Sequence, residues 1–205
     1  IKDRFQFCVS GGSTPKSVYH LLSERDIEWN KVDIFLGDER CVDPKSELSN
    51  SLMLKNSLLT KYGSKAFFYE IFSDKKVDDN ISKNLLISKM SEKCNGYPPS
   101  FDLTLLGLGD DGHTASLFPY QKDNNADDLV IFNEGKGLKR ISLTPKVLSA
   151  SSKIIFLVSG ASKQLALKRL LDKDESQERT PSKLIKSSNQ ISIFCDEESS
   201  KELSI

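Results

Sequence analysis

Three short stretches of this chain gather the side chains able to move protons or hold anions. The longest, Leu103–Pro119, reads LTLLGLGDDGHTASLFP. An apolar run ends there in a glycine-rich loop with Asp110, Asp111 and His113, one of two histidines in the chain. Imidazole titrates near neutral pH, so His113 is suited to general acid–base work, and a carboxylate beside it can orient the ring. Asp111 sits two residues away, though sequence alone leaves open whether it or Asp110 reaches the imidazole. Gly109 and Gly112 let the loop turn sharply. The second stretch is Ser10–Pro15, SGGSTP. Gly11 and Gly12 permit close backbone approach, and Ser13, Thr14 and the amides of a helix start can hold an anion. No GxxxxGK[ST] pattern occurs, so this is not a Walker loop. The third is Gly37–Arg40, GDER, where two carboxylates and a guanidinium follow an apolar run. Arg40 can clamp a phosphate bidentately or be neutralised by its neighbours as a plain ion pair.

Gly107, Gly109 and Gly112 satisfy GxGxxG, the dinucleotide fingerprint. Asp110 and Asp111 lie where a pyrophosphate would approach, and like charges repel it, so nucleotide binding is rejected. The other histidine, His20, falls in the helical stretch VYHLL and reads as structural.

These loops need rigid supports. Strand signals are Phe5–Val9, Val32–Gly37, Phe67–Phe72, Phe101–Leu106, Ile141–Leu143, Ile154–Val158 and Ile191–Phe194. Between them lie helical patterns: one entered at Pro15 with Ser13 or Thr14 as its cap, then Ser49–Leu59, Asp79–Cys94 and Ser162–Leu171. Continuous apolar runs separated by helices predict a mostly parallel sheet covered on both faces, with ligands held in loops beyond the carboxyl ends of its strands. Gln121–Asp128 (QKDNNADD) and Asp172–Arg179 read as solvated loops, and the end of the chain as a short polar tail. At 205 residues the chain suits one α/β domain. Its 29 basic and 29 acidic residues cancel, which gives no electrostatic footprint for nucleic acid. No apolar run nears the roughly 20 residues that cross a bilayer. The four scattered cysteines show no CxxC or Cys/His ligand spacing, which argues against a structural zinc site and fits thiols in a reducing cytosol.

SGGSTP, GDER and GLGDDGHTASLFP together resemble the 6-phosphogluconolactonase family, within the larger glucosamine-6-phosphate isomerase/6-phosphogluconolactonase superfamily. Ser49–Asn50, RISLTPKVLSAS (Arg140–Ser151) and LVSGASKQLALKRLL (Leu157–Leu171) are weaker matches in the same order, so the resemblance covers nearly the whole chain. It implies a three-layer α/β, mostly parallel Rossmann-like sheet flanked by helices. The amino-terminal strand and helix usual in the family are missing, so residues 1–205 read as a single domain, a fragment of a longer chain. QKDNNADD is unlike the family.

The resemblance implies hydrolysis of 6-phosphoglucono-δ-lactone to 6-phosphogluconate in the cytoplasm, in the oxidative pentose phosphate pathway, with no cofactor and no metal. His113, Asp111 and Asp38 would be catalytic; Gly11, Gly12, Ser13, Thr14, Arg40, Lys163, Gly109 and Gly112 would bind substrate and its phosphate. Asp38 would bind sugar hydroxyls, move a proton or pair with Arg40. Some relatives are fused to glucose-6-phosphate dehydrogenase, which makes that enzyme an expected fusion or association partner; nucleic acid and membrane are not expected partners. The alternatives are a glucosamine-6-phosphate deaminase/isomerase and a non-catalytic sugar-phosphate-binding module. The deaminase has an acidic residue five positions after its loop histidine and a tyrosine in place of Arg40. Here the first position is Phe118, which cannot transfer a proton.

Overall fold

The structure, a computed structural model, describes residues 3–72 and 78–203. Its first half runs β1 (Phe5–Val9), α1 (Ser13–Ser23), β2 (Val32–Leu36), β3 (Asp38–Arg40), α2 (Asn50–Lys55), β4 (Phe67–Tyr69) and α3 (Asp79–Lys93). There follow β5 (Leu103–Gly107), β6 (Val130–Gly135), β7 (Leu138–Leu143), α4 (Pro145–Ser149), β8 (Ile154–Val158), α5 (Gln164–Leu171), β9 (Ile191–Cys195) and α6 (Glu197–Ser200).

Six of these strands form one parallel sheet in the order β4-β2-β1-β5-β8-β9. Layers on both faces explain its composition: every residue of β2 and four of the five in β1 are buried. Phe35 stacks on Tyr69 at 4.7 Å and meets Phe101 at 5.5 Å, filling one side of the core. In α1, Pro15, Tyr19 and Ser23 recur every four residues and form its buried stripe. The chain winds from β1 to β2 and β4 on one side, then returns to build β5, β8 and β9 on the other. Where the winding reverses, between β1 and β5, the loops leaving the strand ends diverge and open a crevice.

A second, antiparallel sheet, β3-β7-β6, sits at that end. It corrects the reading of GDER as a loop: Asp38, Glu39 and Arg40 are a strand, with Arg40 opposite Arg140. Three charged residues carry no apolar signal, which is why the strand is silent in the sequence. The sequence reading also misses β6 and shortens β7, although VIFNEGKGLKRISL holds a hairpin signal. Lys136 and Gly137, at φ 53° and 75°, form its two-residue turn. Gly37 joins the sheets: its N–H donates to Val9 O of β1 at 2.8 Å, and its carbonyl accepts from Leu143 N of β7 at 2.9 Å.

Other expectations shift. Gly12, not Ser13 or Thr14, occupies the cap position of α1. The Ser49–Leu59 helix ends at Lys55, with Ser49 as its cap. QKDNNADD is not wholly solvated: Lys122–Asn125 make a 3₁₀ turn, and Asn124 is buried. The polar tail forms α6, capped by Asp196. His20 is exposed on α1.

At the amino ends of the strands, buried Asp33 ties β1, β2 and β4 together. It accepts from Arg4 Nε at 2.9 and 3.0 Å, Arg4 Nη2 at 2.8 Å, Gln6 Nε2 at 3.0 Å and Tyr69 OH at 3.3 Å. Asp33→Ala leaves those donors without their acceptor and should lower unfolding free energy by about 3 kcal/mol in urea titrations. A loss under about 1 kcal/mol would show that the cluster does not secure the sheet.

Candidate functional site

The three chemistry-bearing stretches supply most of the pocket at the crevice. Ser10 to Pro15 follow β1, Gly107 to Gly109 and His113 to Ala115 follow β5, and Ser159 and Lys163 follow β8. Asp38 and Arg40 from β3, Arg140 from β7 and Asn50 from α2 close it. The structure therefore brings together Gly11, Gly12, Ser13, Thr14, Asp38, Arg40, Gly109, His113 and Lys163 from the sequence expectations.

Asp111 and Gly112 do not line the pocket. Gly112 sits in the turn behind it at φ 90°, its carbonyl accepting from Ser182 N at 3.0 Å, so its place is in shaping the loop rather than in touching a ligand. Asp111 lies behind His113. Its Oδ1 meets His113 Nδ1 at 2.5 Å and accepts from His113 N at 3.0 Å. This settles which carboxylate reaches the imidazole, because Asp110 turns outward to Lys136 Nζ at 3.0 Å. Partial burial works against charge on Asp111, but the hydrogen bond and charge of His113 outweigh it and hold the carboxyl well below its usual range. With Nδ1 engaged, Nε2 is the remaining ring nitrogen. Gly109 makes the arrangement possible, since a Cβ there would fall 2.0 Å from His113 Nδ1. The ring packs against Phe118, centroid to centroid 4.7 Å.

The wall formed by Ser10–Pro15 has a different origin. Gly12 enters α1 at φ 110°, a conformation that favours glycine, and no side chain caps the helix. The first-turn amides are thus left for a ligand, with the positive end of the helix dipole behind them. Tyr19 OH fixes the loop by bonding Ser10 N at 3.0 Å and Ser10 O at 2.9 Å.

Opposite, three residues of β3 divide the work. Asp38 Oδ2 accepts from Ser116 Oγ at 2.6 Å and lies 3.9 Å from Arg140 Nη1. Burial pushes the Arg140 guanidinium below its usual range, while Asp38 pulls it back up. Arg40 donates from Nη1 to Leu48 O at 2.6 Å rather than pairing with Asp38. Glu39 points away from the pocket and binds the start of α2, accepting from Asn50 N at 2.8 Å, Ser51 N at 2.7 Å and Ser49 Oγ at 3.1 Å. Burial raises its carboxyl, although the backbone amides oppose that shift. Held this way, Asn50 donates to Asp38 O at 2.9 Å, and its side chain fills the space where a Cβ on Gly11 would fall.

Arg140 and Asn50 are pocket residues that the residue-by-residue reading does not single out. The signal for Arg140 is the hairpin that places it opposite Arg40. Among the described residues, no group of three or more His, Cys, Asp or Glu is arranged to hold a metal ion. No described helix is long and apolar enough to cross a membrane.

Comparison with known proteins identifies the family and the fold. The family profile described as glucosamine-6-phosphate isomerases/6-phosphogluconolactonase matches residues 1–193. The 6-phosphogluconolactonase of Nostoc sp. is 33% identical over 208 residues, covering 98% of this chain and 86% of that protein. The crystal structure of the Thermotoga maritima 6-phosphogluconolactonase superposes with a TM-score of 0.81 at 28% identity, over 95% of this chain and 86% of that one. A monomeric glucosamine-6-phosphate deaminase shares the fold, with a TM-score of 0.76 at 17% identity over 98% of this chain and 88% of that one. With the profile spanning most of its length and a relative aligned along nearly all of it, the chain belongs to the glucosamine-6-phosphate isomerase/6-phosphogluconolactonase family.

Proposed function

We propose that this pocket hydrolyses 6-phosphoglucono-δ-lactone to 6-phosphogluconate. The observation that carries the reading is the imidazole of His113, held through Nδ1 by Asp111 and set in a pocket walled by Arg40, Arg140, Lys163 and an uncapped helix start.

Lactone hydrolysis needs one group to take and return a proton. With Asp111 on Nδ1, neutral His113 carries its proton there and presents the Nε2 lone pair. Nε2 takes a proton from water as the water oxygen bonds to C1 and the carbonyl becomes an oxyanion. When the oxyanion collapses, the bond from C1 to the ring oxygen breaks and His113 returns its proton to that oxygen. Asp111 stabilises the imidazolium in between. Loop amides or Arg40 would serve the oxyanion. The phosphate would rest on Gly11–Thr14, with Lys163 and Arg40 as its cations. Asp38, fixed by Ser116, would face the sugar hydroxyls.

A deaminase would need an acid to help its histidine open the sugar ring. The fifth residue after His113 is Phe118, buried against the imidazole, so that acid is missing here. A non-catalytic module would have no use for the Asp111–His113 pair. Ammonia release from glucosamine 6-phosphate, or binding of 6-phosphogluconate without turnover, would favour one or the other.

His113→Ala should lower hydrolysis of fresh lactone by roughly 10²–10⁴, measured after subtracting spontaneous hydrolysis. Near-normal turnover in that variant would refute the assignment. Lys163→Ala should raise KM for the phosphorylated lactone and leave the rate with unphosphorylated gluconolactone unchanged; equal effects on both would remove Lys163 from the phosphate site.

Asp111 also links stability to pH. Its folded carboxyl lies below the ordinary 3.8, so its contribution is complete above that value and is lost as pH falls through and below it. The Tm advantage of wild type over Asp111→Asn should therefore shrink between about pH 5 and pH 2. A constant difference across that range would mean that Asp111 makes no charge-dependent bond.

A further inference from the structure

Two buried asparagines lie just outside the pocket lining, and neither is used by the reaction proposed above. Asn124 is 3% exposed and Asn133 is 5% exposed. Asn124 Nδ2 donates to Phe118 O at 2.6 Å, and Asn124 Oδ1 accepts from Asn133 Nδ2 at 3.0 Å. Asn133 Nδ2 also donates to Ser116 O at 2.8 Å. The pair thus grips the main chain at residues 116 and 118.

Both gripped residues face the reaction centre. Ser116 Oγ donates to Asp38 Oδ2 at 2.6 Å, and the Phe118 ring packs 4.7 Å from the His113 ring. Phe118 is enclosed on its other sides. The Arg140 guanidinium lies 5.3 Å from the ring centroid, and Gly135 leaves room where a Cβ would come within 2.2 Å of a ring carbon. Asn133 stands opposite Arg140 across β6 and β7, so one hairpin carries the grip and the cation.

Packing alone does not account for these side chains. Asn133 Oδ1 is buried without a hydrogen-bond partner, a cost that an apolar side chain of similar size would avoid. What leucine could not supply is donors aimed at two carbonyls. We propose that Asn124 and Asn133 are a positioning pair, which sets Phe118 against His113 and Ser116 beneath Asp38. The polar segment Gln121–Asp128 then serves the site through its 3₁₀ turn, which delivers Asn124. The roles of His113 and Asp38 rest on the hydrolase reading, whereas the grip on residues 116 and 118 does not.

Asn124→Ala, in a short turn, tests the pair with little risk to the core, and Asn133→Ala is the companion variant. With the phosphorylated lactone, kcat should fall roughly ten- to a hundredfold, as expected when reacting groups shift by fractions of an ångström to an ångström. KM should stay within about twofold, since the phosphate wall is untouched. Proton NMR gives an independent readout, because His20 and His113 are the only histidines. The His113 ring signals should move as the Phe118 ring shifts, while those of His20 stay. Phe118→Leu should behave alike, and adding Asn124→Ala to it should cost less than about twofold more. Unmoved His113 signals or unchanged kcat in folded Asn124→Ala would overturn the proposal, as would losses that multiply in the double variant. A wild type inert toward the lactone would instead defeat the hydrolase reading and leave the NMR arm to decide the pair.

Discussion

Two backbone hydrogen bonds at Gly37 hold the two sheets in one frame. The N–H bonds the first strand of the parallel sheet, and the carbonyl bonds the central strand of the small one. Everything in the pocket is positioned relative to that joint. The loops after β1, β5 and β8 inherit the spacing of the parallel sheet, and Asp38, Arg40 and Arg140 inherit that of the antiparallel sheet. Because Gly37 is the single residue between β2 and β3, the chain passes from one frame to the other without slack.

Within that frame the charged side chains are held by specific partners. Three carboxylates that would repel an anion are turned to other partners, Asp111 to His113, Asp110 to Lys136 and Glu39 to the start of α2, while Asp38, which lines the pocket, is held by Ser116 near Arg140. The pocket therefore presents three cations and the first-turn amides of α1, with Asp38 and His113 beside them. A chain of zero net charge can thereby present positive potential locally, because most acids near the crevice already have partners. Glu39 shows the cost of the arrangement. It is buried and its carboxyl is raised, yet its oxygens fix the entry of the helix that carries Asn50 to Gly11.

Much of the parallel sheet was legible because its inner strands are largely buried and read as continuous apolar runs. Ile154–Val158 appears with the expected bounds, and Phe5–Val9 likewise. The chemistry of the post-strand loops was legible for a related reason. Glycines, aspartates and histidine next to an apolar run have few structural uses, and strand ends are where such sheets bind ligands. The small sheet was not legible to the same degree. Asp38–Arg40 is a strand of charged residues, and its pairing with Arg140, which the family resemblance marks only as the start of a weaker match, follows once the Lys136–Gly137 turn is recognised. Asn124 was hidden most deeply. A polar residue among polar neighbours reads as solvated, and only tertiary contact shows its amide buried under Phe118.

The bare start of α1 has a thermodynamic consequence. Most helices satisfy their first amides with a side chain of their own, and this one begins at Gly12 with none. An anion seated there becomes the missing cap, so helix and ligand draw on a common free energy. Whatever binds would be stabilised by the aligned amides, and α1, tied through Tyr19 to Ser10 just after β1, would be stabilised in return. Occupancy of the pocket is for that reason written into the rigidity of the fold itself.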